Sequence, residues 1–205
     1  SRKLSGHYDL VYTNTLTKPL GALLASTWNL PHIWHVREII EDGLGENYDF
    51  GKSRSHRWVA RHSEKVICNS QAVHNVLSSH VPAKKLQVIY NGLLKVSSPS
   101  VAPRFRVQVN ERPLTLCMVG HLAEHKGHRD AITALSRLCS EGINVQLEIA
   151  GDGPREYRQK MERLAEAHGV SKRIKFLGYQ KDVNEIFCRA DIHLVCTRCE
   201  AFGRV

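Results

Sequence analysis

The sequence predicts an α/β protein in which parallel strands alternate with helices. Eight short runs rich in valine, isoleucine and leucine recur along its 205 residues, and segments of helical length separate most of them. The runs are apolar almost throughout, which is typical of strands that helices cover on both faces. Right-handed crossover connections join such strands. The predicted strands span residues 9–15, 31–38, 65–70, 86–92, 114–120, 145–151, 174–179 and 192–197.

Two of the intervening segments show clear helical spacing. The stretch 128–140 places its apolar side chains on one face, and the stretch 155–168 does the same before Gly169, a residue type that commonly ends helices. The apolar positions are Ala131, Ala134, Leu135 and Leu138 in the first and Tyr157, Met161, Leu164 and Ala165 in the second. We therefore predict doubly wound parallel sheets.

The alternation stops between the fourth and fifth predicted strands. Residues 93–113 include a run of serine and proline with little periodicity, which is typical of a linker. We expect one domain over residues 1–92 and a second over residues 114–205. Each holds fewer strands than is usual in doubly wound domains, so we expect both to be incomplete and the chain to be an internal piece of a longer protein.

The composition is that of an ordinary globular protein, with 42% hydrophobic and 24% charged residues. It excludes an intrinsically disordered tail, a collagen-like repeat and a disulfide mini-protein. The longest apolar run, of about nine residues, is shorter than the roughly 18 that a membrane-spanning helix needs. Because no secretory signal is visible, we expect the six cysteines to be reduced and the protein to be cytoplasmic.

Positive charge is concentrated in the first half of the chain. Residues 1–110 hold 14 Lys and Arg against 7 Asp and Glu, whereas residues 111–205 hold 15 against 13. This excess indicates an anionic partner, unless the cations are simply solvated. Residues 52–65 are predicted to form a helix that places its cations on one face, towards an anionic membrane, an acceptor phosphate or solvent. These cations are Arg54, Arg57, Arg61 and Lys65, and with Trp58 alone beside them we expect no nucleic acid.

The loop after the fifth strand, residues 119–128, has the features of a phosphate site. In open parallel sheets, ligands bind beyond the carboxyl ends of the strands. Here the strand ends at Gly120, Lys126 supplies a cation, and Gly127 opens a helix whose free backbone N–H groups can bind an anion. An ordinary solvated loop is the alternative. A zinc site at His121, His125 and His128 lacks a fourth ligand, so we predict no metal.

Three further loops carry weaker signals. Residues 150–156 contain half of a dinucleotide fingerprint, but Glu156 replaces its third glycine, which favours a structural turn. Glu200 follows the last strand, where a carboxylate can bind sugar hydroxyls or remain solvated. Cys196 and Cys199 form a single CxxC, too little for a structural zinc site. Arg37 lies at the end of the second predicted strand, either facing a cleft or paired with the neighbouring carboxylate.

Taken in order, these segments resemble the family 4 glycosyltransferases of the GT-B fold. The resemblance covers essentially the whole chain and implies two Rossmann-like domains that face each other across a cleft. A nucleotide-sugar donor binds mostly to the second domain and the acceptor, a glycan or lipid-linked sugar, mostly to the first. The family retains the anomeric configuration and needs no metal or other cofactor. The matching segments are HVREI (35–39), VICNSQAV (66–73), VIYNGL (88–93), VGHLAEHKG (119–127), IAGDGP (149–154), IKFLGY (174–179) and EAFGRV (200–205).

The resemblance also assigns roles to single residues. Lys126 would bind the donor diphosphate, and Glu200 would be the first glutamate of the family's E-x7-E signature, holding sugar hydroxyls. Arg37 stands where many members carry a histidine in the cleft, His121 where an arginine is usual, and Leu94 where an aspartate is common. Donor contacts are expected from Gly120, His121, Gly178, Tyr179, Ala201, Phe202 and Gly203. We expect this chain alone to be weakly active or inactive.

The sequence alone leaves three alternative functions open. A Rossmann-like module could bind NAD or another nucleotide without catalysing a reaction, although the incomplete fingerprint disfavours this. A basic protein could bind nucleic acid or lipid through residues 52–65. A relative of glycogen synthase or phosphorylase is a nearer alternative within the same fold. The sugar, the base and the acceptor are not determined, and peripheral contact with the inner face of a membrane is expected for a lipid-linked acceptor.

Overall fold

The computed structural model describes residues 7–40, 51–92 and 112–203 of the chain. By its contacts the chain divides into two compact units, each built on a four-stranded parallel sheet. Unit 1 comprises Ser1–Leu94 together with Cys199–Arg204, and unit 2 comprises Lys95–Arg198 with Val205. The stretch 199–204, counted with the second domain in the sequence analysis, therefore groups with the first unit. The expected linker lies almost entirely outside the described residues.

Unit 1 alternates strands and helices as predicted. Its strands pair in the order β1-β2-β3-β4, and all three pairings are parallel. A short 3-10 turn at Ala83–Lys85 leads into the last strand. The strands are β1 (Val11–Thr13), β2 (His32–Val36), β3 (Lys65–Cys68) and β4 (Leu86–Val88), and the helices are α1 (Leu20–Trp28), α2 (Lys52–His62) and α3 (Gln71–Leu77).

Unit 2 has a parallel sheet in the order β7-β6-β5-β8. Because β6 and β8 lie on opposite sides of β5, the winding direction reverses between β5 and β8, and ligands bind at such a switch point in open α/β sheets. The strands are β5 (Leu114–Val119), β6 (Val145–Ala150), β7 (Ile174–Gly178) and β8 (Ile192–His193). The helices are α4 (His128–Ser140), α5 (Arg155–Ala167) and α6 (Asn184–Arg189), with 3-10 turns at Glu124–Lys126 and Ser171–Arg173.

The structure confirms the α/β class and all eight predicted strands, although several strands are shorter than predicted: the first is Val11–Thr13 where 9–15 was expected, and the fourth is Leu86–Val88 where 86–92 was expected. The last strand is only two residues long, although the apolar run predicted 192–197. The helix expected over 52–65 ends at His62, because Ser63 is extended and Lys65 pairs with Ile33 in the sheet. The placement of Lys65 on the basic helix was therefore wrong.

Each sheet is held by an apolar core that the sequence pattern indicated. Fully burying one aliphatic side chain contributes about 1.5–3 kcal/mol relative to exposing it. In unit 2, β5 and β6 pack against α4 and α5, and in unit 1 β2 and β3 pack against α2 and α3. The buried side chains include Leu147, Ile149, Ile132, Leu135 and Met161 in unit 2, and Trp34, Val36, Val66, Val59, Val73 and Leu77 in unit 1. No helix among the described residues is long and apolar enough to cross a membrane.

One buried residue of α2 is a histidine, and this makes unit 1 sensitive to acid. His56 is fully buried, and burial, with the nearby His80 and Lys52, lowers its pKa from 6.5 to about 4. Between these two pH values, His56 is therefore protonated in the unfolded chain but neutral in the folded chain. The stability that neutral His56 contributes is fully present above pH 6.5 and is lost as the pH falls towards 4, and this contribution is on the order of 3 kcal/mol.

We expect the His56→Leu variant to lose most of this pH dependence. The three tryptophans of the chain all lie in unit 1, so urea unfolding followed by their fluorescence reports on this unit. The matched control is His168→Gln, at an exposed position in unit 2. An unchanged difference in stability between pH 7 and pH 4.5 in the His56→Leu variant would contradict the assignment.

Candidate functional site

The carboxyl edge of the second sheet holds a cavity of about 330 Å³ within unit 2. This volume lies near the lower end of the roughly 300–1,000 Å³ typical of small-molecule sites. Three residues that the sequence analysis proposed for donor binding, Gly120, His121 and Tyr179, line it together, and Gly178 directly precedes Tyr179. The complete lining is Val119, Gly120, His121, Ala150, Gly151, Asp152, Tyr179, Gln180 and Val183.

Glycines let three strand ends meet at this cavity. Gly120 N–H donates to the carbonyl of Ala150 at 2.9 Å, and Gly151 N–H donates to the carbonyl of Gly178 at 2.8 Å. Gly151 has a φ of +144°, and a methyl group there would collide with the carbonyl oxygen of Gly120. The loops after β5, β6 and β7 can therefore lie edge to edge only with glycine at position 151.

The GDGP loop acts as the structural turn that the sequence analysis favoured. A side chain at Gly153 would collide with the carbonyl of Leu122, while Leu122 N–H donates to the carbonyl of Asp152 at 2.9 Å. Pro154 occupies the position just before α5. The glycines thus serve loop packing, and the loop adds Asp152, whose Oδ1 accepts the N–H of Gly153 at 2.9 Å, to the residues that line the cavity, a contribution that sequence reasoning missed.

The loop after β7 supplies the remaining wall. The Gln180 amide Nε2 donates to the carbonyl of Leu177 at 2.8 Å, which fixes the orientation of the amide. Tyr179 exposes 76% of its surface, and Val183 begins the approach to α6. Sequence reasoning missed Gln180 and Val183, although their position just beyond the end of β7 was the available signal. Apolar walls with a few oriented polar groups suit a planar heterocycle.

The turn that carries Lys126 lies at the switch point. Lys126 is half-buried in the 3-10 turn, and its N–H donates to the carbonyl of Ala123 at 3.0 Å. The carbonyl of the preceding His125 accepts hydrogen bonds from Arg198 N–H at 3.1 Å and the Thr197 hydroxyl at 3.2 Å. The loop that leaves β5 is therefore fixed to the segment that leaves β8.

Gly127 makes this attachment possible. It has a φ of +74°, and a methyl group there would collide with the carbonyl oxygen of Cys196. Helix α4 therefore begins in close contact with the chain that follows β8, and its first N–H groups face the carboxyl edge of the sheet. A helix N-terminus favours negative charge through its backbone dipoles.

The carboxylate within this turn is offset by neighbouring cations, and a second carboxylate, the exposed Asp130, lies in the first turn of α4. Glu124 is the only carboxylate between residues 119 and 128, and it pairs with Lys160 at 3.0 Å and with Arg129 at 3.9 Å. The hydrogen bond from Lys160 lowers the pKa of Glu124. Cations of α4 and α5 thus offset the negative charge of the loop.

His128 is structural. It is buried at the start of α4, where its Nδ1 lies 3.4 Å from the hydroxyl of Tyr157. Burial lowers the pKa of His128 and raises the pKa of Tyr157 to about 12, so both are neutral at pH 7. His121, His125 and His128 form no metal-binding group, and no cluster of three such ligands occurs anywhere in the described residues.

The stretch from Glu200 to Gly203 packs in unit 1. Ala201 contacts the core of that unit, and the ring of Phe202 lies 6.4 Å from the ring of Tyr90, which follows β4. Glu200 is exposed, and its Oε1 accepts the N–H of Gly203 at 3.1 Å. The Gly203 N–H predicted for a donor is thus engaged by Glu200, and the donor contacts expected of these residues stay predictions.

Arg37 lies at the carboxyl edge of the first sheet, as expected. The carboxylate of its neighbour Glu38 accepts two backbone N–H groups, from Leu16 and Arg37, each at 3.1 Å. Asn69, which follows β3 and is 3% exposed, donates from Nδ2 to the carbonyl of Arg37 at 3.3 Å. These bonds hold the backbone around Arg37 in place, and the role of its side chain stays a prediction.

Comparison with known proteins identifies the family. Residues 102–205 match Glycosyl transferases group 1, and residues 2–93 match Glycosyltransferase Family 4. The GPI3 subunit of phosphatidylinositol N-acetylglucosaminyltransferase from Saccharomyces cerevisiae is 25% identical over 69% of this chain and 32% of its own length. The lipopolysaccharide core biosynthesis glycosyltransferase LpsE from Rhizobium meliloti is 26% identical over 71% of this chain and 41% of its own length.

A solved structure agrees with these matches. HepE from Anabaena in complex with UDP-glucose superposes with a TM-score of 0.77 and 25% identity, covering 98% of this chain and 57% of that one. The chain thus spans about a third of the first of these curated relatives and about half of the solved structure. It belongs to the glycosyl transferases group 1 family, with a first half that matches Glycosyltransferase Family 4 and a GT-B fold of which both domains are partial.

Proposed function

We propose that the complete protein transfers a sugar from a nucleotide-diphosphate sugar to a glycan or lipid-linked acceptor, with retention of the anomeric configuration. The observation that carries this proposal is the cavity of unit 2, where Gly120, His121 and Tyr179 come together at the carboxyl edge of the sheet. The family, and HepE with its bound UDP-glucose, support the choice of donor. Retention rests on the resemblance to the family alone.

The cavity suits the nucleoside part of such a donor. Its volume of about 330 Å³ is small for a whole nucleotide sugar, so the diphosphate and sugar would extend out of it. Tyr179 and Val183 offer surfaces for a base, and Asp152 and Gln180 offer hydrogen-bonding groups. The diphosphate would then lie at the helix N-terminus that follows Lys126.

The chemistry explains the need for Lys126. In the transfer, the bond between the anomeric carbon and the diphosphate breaks while a bond to an acceptor oxygen forms, so negative charge develops on the departing diphosphate. An ammonium group and oriented backbone N–H groups can stabilise that charge in the transition state. We propose that Lys126 and the first N–H groups of α4 do so without a metal ion, and that Arg37 serves the acceptor side.

The donor class is tested by thermal shift with the complete protein. A ligand that binds only the folded state raises the melting temperature by mass action. We expect UDP-sugars, ADP-sugars or GDP-sugars to raise it, with UDP-glucose as the first probe, and NAD to have no effect. Stabilisation by NAD alone would favour a dinucleotide-binding module, and no stabilisation by any nucleotide sugar would contradict the proposal.

The location of the base is tested by filling the cavity. The Val183→Trp variant should weaken UDP binding at least about tenfold, because the larger ring occupies space that the base needs. Isothermal titration calorimetry measures this change. The control is Ala134→Trp, at an exposed position of α4 outside the cavity. Equal UDP affinity in the Val183→Trp variant and the wild type would exclude this cavity as the base site.

A cytoplasmic location is part of the proposal. No disulfide forms among the cysteines, all of which lie in the described residues. Cys68 and Cys117 are completely buried, and burial raises the pKa of both thiols, to about 11 for Cys68. These two thiols behave as small apolar core residues, as is common in a reducing compartment.

A further inference from the structure

Helix α2 has charges that oppose its own formation. It contains no acidic residue, and its exposed positions are Lys52, Ser53, Arg54, Arg57 and Arg61. Lys52 and Arg54 lie in the first turn, where the helix dipole favours anions, and no side chain caps this end of the helix. Arg61 in the last turn is placed favourably for the dipole, but the first turn is not, so the helix is held mainly by its buried inner face.

Repulsion within the helix adds to this unfavourable arrangement. Arg54, Arg57 and Arg61 follow one another at three- and four-residue spacing, where like charges destabilise a helix. Neither they nor Lys52 form an ion pair or a side-chain hydrogen bond with any residue that the structure describes. An anionic partner would therefore relieve a repulsion that is already present.

Two lysines extend this cationic face beyond the end of the helix. Lys65 and Lys84 are exposed, and Lys65 Nζ donates to the carbonyl of Lys84 at 3.0 Å. Lys85 holds the turn against the helix end by donating to the carbonyl of Ser63 at 2.7 Å, and Glu64 lies beside it. We call the resulting patch the basic surface, and it consists of Lys52, Arg54, Arg57, Arg61, Lys65 and Lys84.

The cations of unit 2 are arranged differently. Several of its lysines and arginines have carboxylate partners. The pairs include Arg112 with Asp191, Arg158 with Glu162, Lys160 with Glu124, and Arg189 with Glu148. The four cations of α2 have no such partner among the residues that the structure describes, so their clustering calls for its own explanation.

The side chains of α2 favour a surface of phosphate headgroups over nucleic acid. Its one aromatic residue, Trp58, is half-buried against the core and lies 4.0 Å from the ring of His62, so it offers no open face for a base to stack on. The exposed positions have no apolar side chain that could insert between lipids. Contact would therefore be electrostatic and at headgroup level.

We propose that the basic surface docks the protein onto a membrane of anionic phospholipid. The proposal does not depend on the transfer activity, since it concerns binding alone. The probe is a vesicle of phosphatidylcholine with or without phosphatidylglycerol, sedimented with the full-length protein. Each cation near an anionic surface strengthens binding about fivefold, and added salt screens this effect. We expect binding to the anionic vesicles only, and its loss at high salt.

The test variant combines Arg54→Gln, Arg57→Gln and Arg61→Gln. It should bind anionic vesicles on the order of 100-fold more weakly, since three cations are removed. The matched control removes three exposed cations of unit 2 through Arg155→Gln, Arg163→Gln and Lys172→Gln, and should bind nearly as the wild type does. Because the test variant removes repulsion, it should melt no lower than the wild type. If it does not fold, the single Arg57→Gln variant should show about fivefold weaker binding.

Several results would overturn the proposal. These are equal binding to neutral and anionic vesicles, unchanged binding by the folded test variant, and tighter binding to duplex DNA than to anionic vesicles. A test variant that melts lower and binds vesicles as the wild type does would instead show that these cations stabilise the folded protein and do not dock it.

Discussion

Replacing Lys126 by alanine should lower sugar transfer by the full-length protein at least about 100-fold. Removing one group that stabilises a developing oxyanion typically costs about 10²–10³ in rate. Lys126 is positioned for this role by the turn that Thr197 and Arg198 fix through the carbonyl of His125. A radiolabelled-sugar transfer assay with the donor found by thermal shift measures the effect.

The separate changes in kcat and KM distinguish a loss of catalysis from a loss of folded protein. If the ammonium acts mainly in the transition state, kcat should fall more than KM rises. Lys126→Arg should keep part of the activity because it keeps the charge, although its geometry differs. Lys172→Ala, at an exposed position in the same unit, serves as the control. Normal turnover by a folded Lys126→Ala protein would remove this residue from the mechanism.

Replacing Gly151 by alanine should both destabilise unit 2 and abolish nucleotide binding. The added methyl group would collide with the carbonyl of Gly120, in a backbone conformation that side chains rarely adopt. Overpacking and backbone strain together cost roughly 3–5 kcal/mol. The loop that carries Gly120 and His121 would have to move, which would change the cavity that they line.

The matched control for Gly151 is a glycine that also has a positive φ but has no atoms near the position of an added Cβ. Gly142 has a φ of +80° and nothing within 4 Å of an added Cβ. Gly142→Ala should therefore cost only about 1–2 kcal/mol, the price of the left-handed conformation itself. Thermal unfolding by circular dichroism and UDP titration measure the two effects. Equal stability and equal UDP affinity in the two variants would show that the contact with Gly120 does not matter.

The fold could be predicted because its signal is local. Apolar runs mark every strand, and the helical spacing over 128–140 gives the bounds of α4. The bounds of β8 could not be predicted, since the pairing of Ile192 with Leu116 depends on a neighbour far away in sequence. The same holds for Phe202, whose packing against Tyr90 no local pattern encodes.

The candidate site was predicted in outline for a physical reason. The carboxyl ends of parallel strands meet at one edge, so residues such as Gly120 and Tyr179 were expected near each other, and both line the cavity. Asp152 was not predicted to line the cavity because the glycines of its loop already explained that loop as a turn. Gln180 was not predicted because its side chain is uncharged and nothing in the sequence distinguishes it. The burial of His56 could have been found, since it lies three residues before the apolar Val59 on the inner face of α2.

Hydrogen exchange of the complete protein with UDP, in the presence of EDTA, tests the central claim most directly. Bound nucleotide should slow exchange of the amides in residues 119–128 and 177–183, the loops that form the cavity of unit 2 and carry Lys126. Peptides from β1 and α1 should be unaffected. UDP that binds without protecting these loops, or that protects them only when magnesium is supplied, would contradict the account.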